Sequence, residues 1–369
     1  MKILIDARMY GLENAGIGRY AVNLITQITE LDKSNDYVLL LKRKYFDELT
    51  FPANFKKVAA DFRHYSFAEQ LMLPKIINQE KPDLVHFLHF NVPVWFTGKF
   101  VVTIHDLLMH KQKGLEATTL NPALYYVKRL GYKSVFSNAV KKASKIIVPS
   151  KYVKEDIIKT YKVSPEKVVV TYEGVEQVKM TSANTEEILG KYNLTKDKYY
   201  LYVGSAYPHK NLKRTIEAAY LNRTPLAISC ARNVFTEKLE KLVSMTGAKD
   251  YVKLLGFVPD EELSVLYKNS IGFVYPSLTE GFGLPGLEAM INGTILLASE
   301  IPVFKEVYKD NAVYFNPFDF SDIAKRMEIV KQMTADRRKE LITKAQNFAK
   351  TYSWKKMAQE TLDTYKSVI

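Results

Sequence analysis

The stretch Tyr275–Met290, YPSLTEGFGLPGLEAM, decides the fold, because it places two glutamates around a glycine-rich turn that opens a helix. The two glutamates, Glu280 and Glu288, are eight positions apart. Between them, Gly281 and Gly283 allow the backbone to turn tightly and to approach a ligand closely. The helix that follows begins with a proline, which favours a helix start, and offers unpaired N–H groups and a positive dipole end. The pattern predicts a site for a nucleotide sugar.

The glutamate, the GFG triplet, the proline and the second glutamate resemble the signature of the retaining glycosyltransferases of family 4, which have the GT-B fold. This resemblance implies an α/β protein with two Rossmann-like domains facing a central cleft and a C-terminal helix that crosses back to the N-terminal domain. It implies that Glu280 contacts hydroxyls of the donor sugar and that Glu288 accepts hydrogen bonds from both ribose hydroxyls. Four neighbouring backbone positions would also line the donor: Gly281, Phe282, Gly283 and Leu284. The alternative is a helix start with two solvated glutamates.

Length and composition favour two globular domains. A chain of 369 residues exceeds the size at which one core usually stops growing. Its content of 47% hydrophobic and 25% charged residues is typical of globular proteins. The N-terminal MKILIDARMYG predicts a strand and not a signal peptide, and no apolar run has transmembrane length, so we expect a cytoplasmic protein. The single cysteine, Cys230, is predicted to be a buried structural thiol.

The net charge of +13 indicates an anionic partner or a solvated basic surface. The densest basic stretch, residues 128–154, mixes Lys and Arg with Tyr, Phe, Val and Ile at helix-like spacing. No zinc-finger spacing, RNP-like motif or basic region with heptads accompanies it, which disfavours nucleic acid. A solvated basic face and contact with anionic lipid headgroups at the inner face of the membrane both remain open.

Apolar strand patterns alternate with helical patterns along most of the chain, as in doubly wound domains with parallel sheets. The first series is KILIDA, YVLLLK, DLVHFLH, FVVTIHD and KIIVPS, and the second is YYLYVG, PLAISCA, YVKLLG, GFVYPS, TILLAS and AVYFNP. The polar stretch TSANTEE between them predicts a linker. We therefore expect an acceptor-binding domain at 1–176, a nucleotide-sugar domain at 177–350, and a returning helix at 351–369. Ligands should bind beyond the carboxyl ends of the strands.

Two motifs in the first series are candidates for contact with the donor. In NAGIGRY, Gly16 and Gly18 follow the first strand and would let loop amides close over a diphosphate. In VVTIHDL, His105 and Asp106 follow another strand. By resemblance, His105 contacts the donor sugar near its anomeric centre or hydroxymethyl group. Asp106 would orient the His105 ring. Position alone is equally consistent with an ordinary turn and a strand-end histidine.

The run LYVGSAYPHKNL resembles the family's phosphate clamp, in which a strand ends at a glycine, here Gly204, and an arginine and a lysine follow. Lys210 occupies the lysine position, but Ser205 stands where many relatives have arginine. The diphosphate would then rely on Lys210, on amides, and on Arg19 or His209. Because an ammonium lacks the two-pronged geometry of arginine, this departure leaves the phosphate geometry open.

Three further stretches complete the expected site. LLGFVPDEELSVLY resembles the family region that closes over the base, with Val258 and Asp260 at contacting positions and Leu263 nearby. VPSKYVKEDI resembles another recurrent stretch, in which Ser150 should be structural. The segment at 110–130 is our expectation for acceptor recognition.

The resulting hypothesis is a retaining, metal-independent hexosyltransferase that uses a GDP- or UDP-linked sugar, with GDP-mannose favoured by family likeness, and a glycan or lipid-linked acceptor. No DxD-type pair follows a strand, so no metal site is predicted. The family is thought to use front-face attack, with the leaving phosphate accepting the proton. The alternatives are a same-fold epimerase or phosphorylase, a dinucleotide-dependent dehydrogenase, and a non-catalytic nucleotide or membrane-surface binding module. A full GxGxxG after the first strand is lacking, which disfavours the dehydrogenase.

Overall fold

The computed structural model describes residues 1–111, 122–176, 184–230 and 234–368. They form two compact units, the first of Met1–Gly174 with Ser353–Ile369 and the second of Val175–Tyr352. The assignment of acceptor binding to the first unit and of donor binding to the second stays a prediction.

Unit 1 is built on a seven-stranded sheet in which every neighbouring pair is parallel. Its strands are β1 (Lys2–Asp6), β2 (Asp36–Leu41), β3 (Phe55–Ala59), β4 (Leu84–Phe87), β5 (Phe100–Thr103), β6 (Lys145–Val148) and β7 (Val168–Val170). They are arranged in the order β3-β2-β1-β4-β5-β6-β7. The order reverses between β1 and β4, so the topological switch point of this sheet lies beyond the ends of these two strands.

Seven helices accompany this sheet in the described residues: α1 (Ala15–Leu31), α2 (Arg43–Glu48), α3 (Phe67–Glu80), α4 (Leu108–Lys111), α5 (Pro122–Lys142), α6 (Lys151–Tyr161) and α15 (Trp354–Lys366). The last of them, α15, packs against α1. Its Tyr365 hydroxyl lies 2.6 Å from Nδ1 of the buried His86 on β4. Ser150 has the structural place we expected, since its Oγ accepts from the Val153 amide at 3.2 Å and caps α6.

Unit 2 has a six-stranded parallel sheet: β8 (Tyr200–Val203), β9 (Leu226–Ser229), β10 (Val252–Gly256), β11 (Gly272–Tyr275), β12 (Leu296–Ser299) and β13 (Val313–Phe315). Its order is β10-β9-β8-β11-β12-β13, so its switch point lies between β8 and β11. Its helices are α7 (Thr185–Lys191), α8 (Leu212–Leu221), α9 (Val234–Met245), α10 (Asp260–Lys268), α11 (Leu284–Ile291), α12 (Pro302–Tyr308), α13 (Phe320–Lys331) and α14 (Ala335–Ala349).

The predicted linker differs from the structure in its second half. Residues 181–183 of TSANTEE lie outside the described residues, but Asn184 is a helix N-cap whose side chain accepts from the Glu186 amide at 3.1 Å. Thr185 then begins α7. Asparagine and the acidic residues after it are typical of a helix start, and this signal outweighs the polar composition that suggested a linker.

A buried ionic network lies at the switch point of unit 1. Arg8, which is 2% exposed, donates to Asp6 at the end of β1 and, over 2.7 Å, to Glu69 on α3. Glu69 is 0% exposed and also accepts from the Asn91 side chain and the Tyr65 amide, each at 2.7 Å. Because buried charges are tolerated only when they are paired and hydrogen-bonded, this network ties α3 to the centre of the sheet.

Candidate functional site

In unit 2, the sequence-predicted residues Lys210 and Glu280 meet at the switch point of the sheet. Lys210 ends a short 3-10 turn after β8, and Glu280 lies in the loop between β11 and α11. The Lys210 ammonium is 2.5 Å from Glu280 Oε1, and the same oxygen accepts from the Tyr275 hydroxyl at 3.0 Å. Both side chains of the ion pair are about 15% exposed, at 15% and 14%. The pair is therefore partly shielded from water but still open to a ligand.

The protonation state of Glu280 follows from these neighbours. Burial raises the pKa of the carboxyl group, but the charge and hydrogen bond of Lys210 outweigh burial and bring that pKa below its ordinary value. His209 is different, because burial and the adjacent Lys210 charge lower its pKa to about 4. At neutral pH Glu280 is thus a carboxylate and His209 a neutral imidazole. His209 is consequently a hydrogen-bonding group here and not a second cation.

The backbone around Lys210 is fixed by contacts between the loops that follow β8 and β11. The His209 carbonyl accepts from the Leu278 amide at 2.8 Å. Asn211, in the left-handed conformation at φ 58°, donates its side-chain amide to the Pro276 carbonyl at 3.1 Å. These bonds hold the lysine turn against the glutamate loop, so the short Lys210–Glu280 distance is a property of the fold.

The glycine-rich turn before α11 requires glycine for steric reasons. Gly283 has φ 104°, and a Cβ there would lie 2.3 Å from the Tyr308 hydroxyl, which donates to the Gly283 carbonyl. Gly281, Phe282 and Leu284 are all buried. The helix starts at Leu284, one residue before the position we predicted, and Glu288 in its second turn is half-buried. The helix start therefore offers its first amides on a rigid backbone.

The rest of the predicted donor positions lie along the same sheet edge. Gly204 follows β8 with φ 149°, and the Ser205 carbonyl accepts from the Tyr202 hydroxyl at 2.7 Å. After β10, the Val258 side chain is only 2% exposed, so any contact of Val258 with a base would come from its backbone. Asp260 begins α10, and Leu263 is 9% exposed.

In unit 1, the glycine motif differs from the predicted loop, because Gly16 and Gly18 lie in the first two turns of α1. The turn before them, Leu12–Asn14, is a short 3-10 helix. A Cβ on Gly16 would meet nothing within 4 Å, whereas a Cβ on Gly18 would lie 1.8 Å from the Gly11 carbonyl oxygen. Gly18 is thus required by packing, while Gly16 leaves the helix start open to a ligand. Sequence spacing cannot separate these two reasons for a glycine.

This contrast yields a paired prediction. Gly18→Ala should destabilise the protein by about 1–3 kcal/mol, because the methyl group overlaps backbone. Gly16→Ala should leave the thermal midpoint unchanged but raise the donor KM about tenfold, or about 1.4 kcal/mol, because the methyl group blocks close approach of a diphosphate. Calorimetry and donor titrations check the pair. An unchanged donor KM in Gly16→Ala would remove this turn from the donor site.

His105 follows β5, and three neighbours fix its ring. Its Nε2 lies 3.1 Å from the Leu88 carbonyl oxygen, and its Nδ1 lies 3.6 Å from the Glu173 carboxylate. The Tyr20 ring contacts the imidazole edge-to-face, with centroids 4.9 Å apart. The Asp106 carboxylate accepts from the Leu108 amide at 2.7 Å, at the start of α4, and its role in orienting the His105 ring stays a prediction. The Leu88 carbonyl oxygen and the Glu173 carboxylate face the two nitrogens.

No motif in the sequence points to Glu173 or Tyr275. Neither TYEGVE nor GFVYPS carries a spacing that links its residue to a partner 68 or 5 positions away.

Of the expected acceptor segment at 110–130, residues 112–121 lie outside the described residues. Among the described residues, no group of three or more His, Cys, Asp or Glu side chains has the arrangement of a metal site. No helix there has both the length and the apolar character to cross a membrane.

Two family models match nearly adjoining parts of the chain. The model described as Glycosyltransferase Family 4 matches residues 15–178, and that described as Glycosyl transferases group 1 matches residues 184–348. The chain is 26% identical over 374 residues to the O-antigen chain mannosyltransferase RfbU of Salmonella typhimurium, with 97% of each chain covered. It is also 26% identical to the O-antigen chain mannosyltransferase B of Escherichia coli, covering 99% of this chain and 100% of the relative.

Solved structures agree on the fold. HepE of Anabaena in complex with UDP-glucose superposes with a TM-score of 0.76 at 16% identity and covers 100% of both chains. WaaG, a glycosyltransferase involved in lipopolysaccharide biosynthesis, has a TM-score of 0.75 at 15% identity and covers 99% of both. The predicted GT-B fold with two parallel Rossmann-like sheets is confirmed, as is the contact of the C-terminal helix α15 with α1. By its two family models, with which the fold agrees, the chain belongs to glycosyltransferase family 4.

Proposed function

We propose that this enzyme transfers a hexose, with mannose the first candidate, from a nucleoside diphosphate to a hydroxyl of a glycan or lipid-linked acceptor, with retention of configuration. The observation that carries the proposal is the Lys210–Glu280 pair at the switch point of unit 2, beside the helix start of α11. The names of the two O-antigen mannosyltransferases support mannose and polysaccharide assembly. A GDP-linked donor is the one we favour.

The proposed chemistry assigns each group one task. Negative charge develops on the leaving diphosphate, so cations and amides already aimed at it stabilise the transition state most. Lys210 supplies the cation, and the first amides of α1 and α11 supply hydrogen bonds. Glu280 holds donor-sugar hydroxyls, and Glu288 holds the ribose. Val258 and Asp260 flank the base.

Proton transfer in this proposal needs no separate base. The leaving phosphate accepts the proton of the attacking hydroxyl on the same face of the sugar, which retains the configuration. In this proposal Lys210 neutralises the charge of the leaving diphosphate while it stays beside Glu280. Since the ion pair already exists at 2.5 Å, the ammonium is held in place before the donor binds. We propose that this arrangement operates without a divalent metal.

A thermal-shift panel of GDP, UDP, ADP and dTDP, each with and without EDTA, tests the donor site. We expect one diphosphate, GDP first, to stabilise the protein by about 2.7 kcal/mol at a hundred times its dissociation constant, regardless of EDTA. NMR of the product made from the matching sugar donor then reports the anomeric configuration. Stabilisation that EDTA abolishes would contradict metal independence, and an inverted product would contradict the retaining mechanism.

The same assays separate the alternatives. A same-fold epimerase would convert the donor sugar with no acceptor present. A non-catalytic binding module would respond to a diphosphate but release none from the sugar donor, whether or not an acceptor is added. Transfer to an acceptor, with no conversion of the donor alone, is the outcome we expect.

We also propose that α5 in unit 1 contacts anionic lipid. Three large apolar side chains on this helix are exposed, Tyr126 at 59%, Val127 at 67% and Leu130 at 68%. The exposed Lys128 lies among them. Apolar side chains beside basic ones suit a membrane surface, where the former enter the headgroup region and the latter meet anionic headgroups.

Vesicle sedimentation tests this contact. Phosphatidylcholine vesicles should bind the protein only weakly, and adding phosphatidylglycerol should strengthen binding. The double variant Val127→Asn with Leu130→Asn should weaken binding to the anionic vesicles about tenfold, because it removes apolar burial. Met245→Asn in unit 2 is the matched control, since Met245 is 86% exposed but lies on another helix. Equal losses in both variants would show that α5 is not the contact.

A further inference from the structure

The buried surroundings of His105 contain two residues with no assigned role, Tyr20 and Glu173. We propose that both are positioning residues that hold the His105 ring at the angle needed for contact with the donor sugar. This inference rests on the proposed function, which makes the donor sugar the group that His105 contacts. The orientation of the His105 ring does not depend on the proposed function.

Glu173 approaches one edge of the ring. Its carboxylate is 3.6 Å from Nδ1, while the Leu88 carbonyl oxygen is 3.1 Å from Nε2 on the other side. Because a backbone carbonyl can only accept, Nε2 carries a proton in this orientation. A rotation of the ring would break that bond and turn a C–H edge towards the carboxylate. A carboxylate can only accept, so Glu173 favours this orientation when Nδ1 is protonated as well, and the two oxygen atoms then select it together.

Burial of the Glu173 carboxylate costs free energy of folding, which a functional role would explain. The residue is 6% exposed, and within the described part of the chain His105 is the one basic side chain whose nitrogen lies within 4 Å of its carboxylate. A buried carboxylate with so few partners is stabilised less than a packed apolar side chain would be. A carboxylate at this position is explained if it orients a functional histidine, as carboxylates that hydrogen-bond to catalytic or metal-binding imidazoles do in other proteins.

Tyr20 supports the ring from the side and is itself held rigidly. It projects from α1, the helix that carries Gly16, and is 1% exposed. Its ring stands at 82° to the imidazole, and its hydroxyl is 3.1 Å from Thr103 Oγ1 at the end of β5. Thr103 Oγ1 is also 2.8 Å from Nε2 of His86. Tyr20 thus connects α1, which carries the proposed donor contact Gly16, with His105, the other proposed donor contact in this unit.

A double-mutant cycle between Glu173 and His105 tests the proposal. We expect Glu173→Ala to lower kcat about 10- to 100-fold with the donor KM changed less than about threefold, because a ring displaced by about 1 Å no longer meets the sugar. The near-isosteric Glu173→Gln should retain more activity. In a His105→Ala background, Glu173→Ala should cost nothing further. Full additivity of the two losses would overturn the proposal.

Imidazole NMR gives a readout that is independent of catalysis. With ¹⁵N-labelled histidine, the His105 resonances are identified by their loss in His105→Asn. They should shift in Glu173→Gln and in Tyr20→Leu, and less in Tyr20→Phe, which keeps the ring. Tyr161→Phe is the matched control, because it removes a hydroxyl that lies 2.5 Å from Nε2 of another histidine, His110. His105 resonances unchanged by Glu173→Gln and Tyr20→Leu would overturn the proposal, whereas shifted resonances without any transfer in the unmutated enzyme would overturn only the proposed function.

Discussion

Replacing Glu280 with glutamine should lower kcat for sugar transfer by about 10²- to 10³-fold, the cost of removing one preorganised contact from a transition state. The substitution preserves shape but removes the charge that Lys210 faces at 2.5 Å. Tyr275 can still donate to the remaining amide oxygen. The loss should therefore arise in the chemical step, with the donor KM changing much less. Steady-state kinetics with the donor identified by the thermal-shift panel measures both.

The companion variant Lys210→Met should act differently. It removes the cation proposed to meet the diphosphate, so it should raise the donor KM as well as lower kcat. Asp310→Asn is the control for Glu280→Gln, because Asp310 pairs with Lys344 at 2.6 Å on the surface of the same unit. We expect this control to retain full activity. Equal activity in Glu280→Gln and in the control would refute the assigned role of Glu280.

Replacing Glu69 with alanine should destabilise the protein by about 3–5 kcal/mol, the cost of leaving a buried charge without its partner. Arg8 would keep Asp6 but lose the 2.7 Å bond to Glu69, and the Asn91 amide would lose its acceptor. Differential scanning calorimetry should record a midpoint lower by about 10 °C. A change no larger than that of Glu48→Gln, an exposed residue on α2, would contradict the account of the network.

The same carboxylate predicts a pH dependence. Burial raises the pKa of Glu69, but His64, Arg8 and Asn91 outweigh burial and lower that pKa from 4.5 to about 2. A pKa depressed in the folded state gives stability that is present above pH 4.5 and is lost as the pH falls towards 2. The gap in unfolding free energy between the unmutated protein and Glu69→Gln should therefore narrow over that window. Denaturant titrations at a series of pH values measure it, and a gap independent of pH would contradict the prediction.

Much of the fold was predictable because parallel strands covered on both faces leave continuous apolar runs. All eleven runs identified in the sequence correspond to strands. The two strands we did not predict, β3 and β7, lie at the two edges of the sheet in unit 1. β3 has the sequence FKKVA, in which two lysines interrupt the apolar run, and charged residues of this kind are common in edge strands. β7 has only three residues, too few for a periodic signal.

The candidate site was predictable only where a local motif encodes it. Glu280 and Lys210 were identified from motifs, but their mutual contact joins loops 70 positions apart and depends on the order of β8 and β11. No local motif encodes Glu173 or Tyr20, since what matters is their distance to His105 in space. The sequence favours a loop for the glycine pair because a strand-to-helix turn and the first turns of a helix share the same residue preferences.

The discontinuity of unit 1 has a consequence for biosynthesis. Its sheet comes from the first 174 residues, but α15 and the Tyr365 hydroxyl that meets His86 come from residues 353–369, after the whole of unit 2. Since a nascent chain emerges at about 5–20 residues per second, the amino-terminal half waits roughly ten to forty seconds on the ribosome before its last helix exists. Unit 2, which is one continuous stretch of chain, is the first of the two units that can finish folding. Chaperones that shelter an exposed α1 surface should consequently matter most during synthesis, not afterwards.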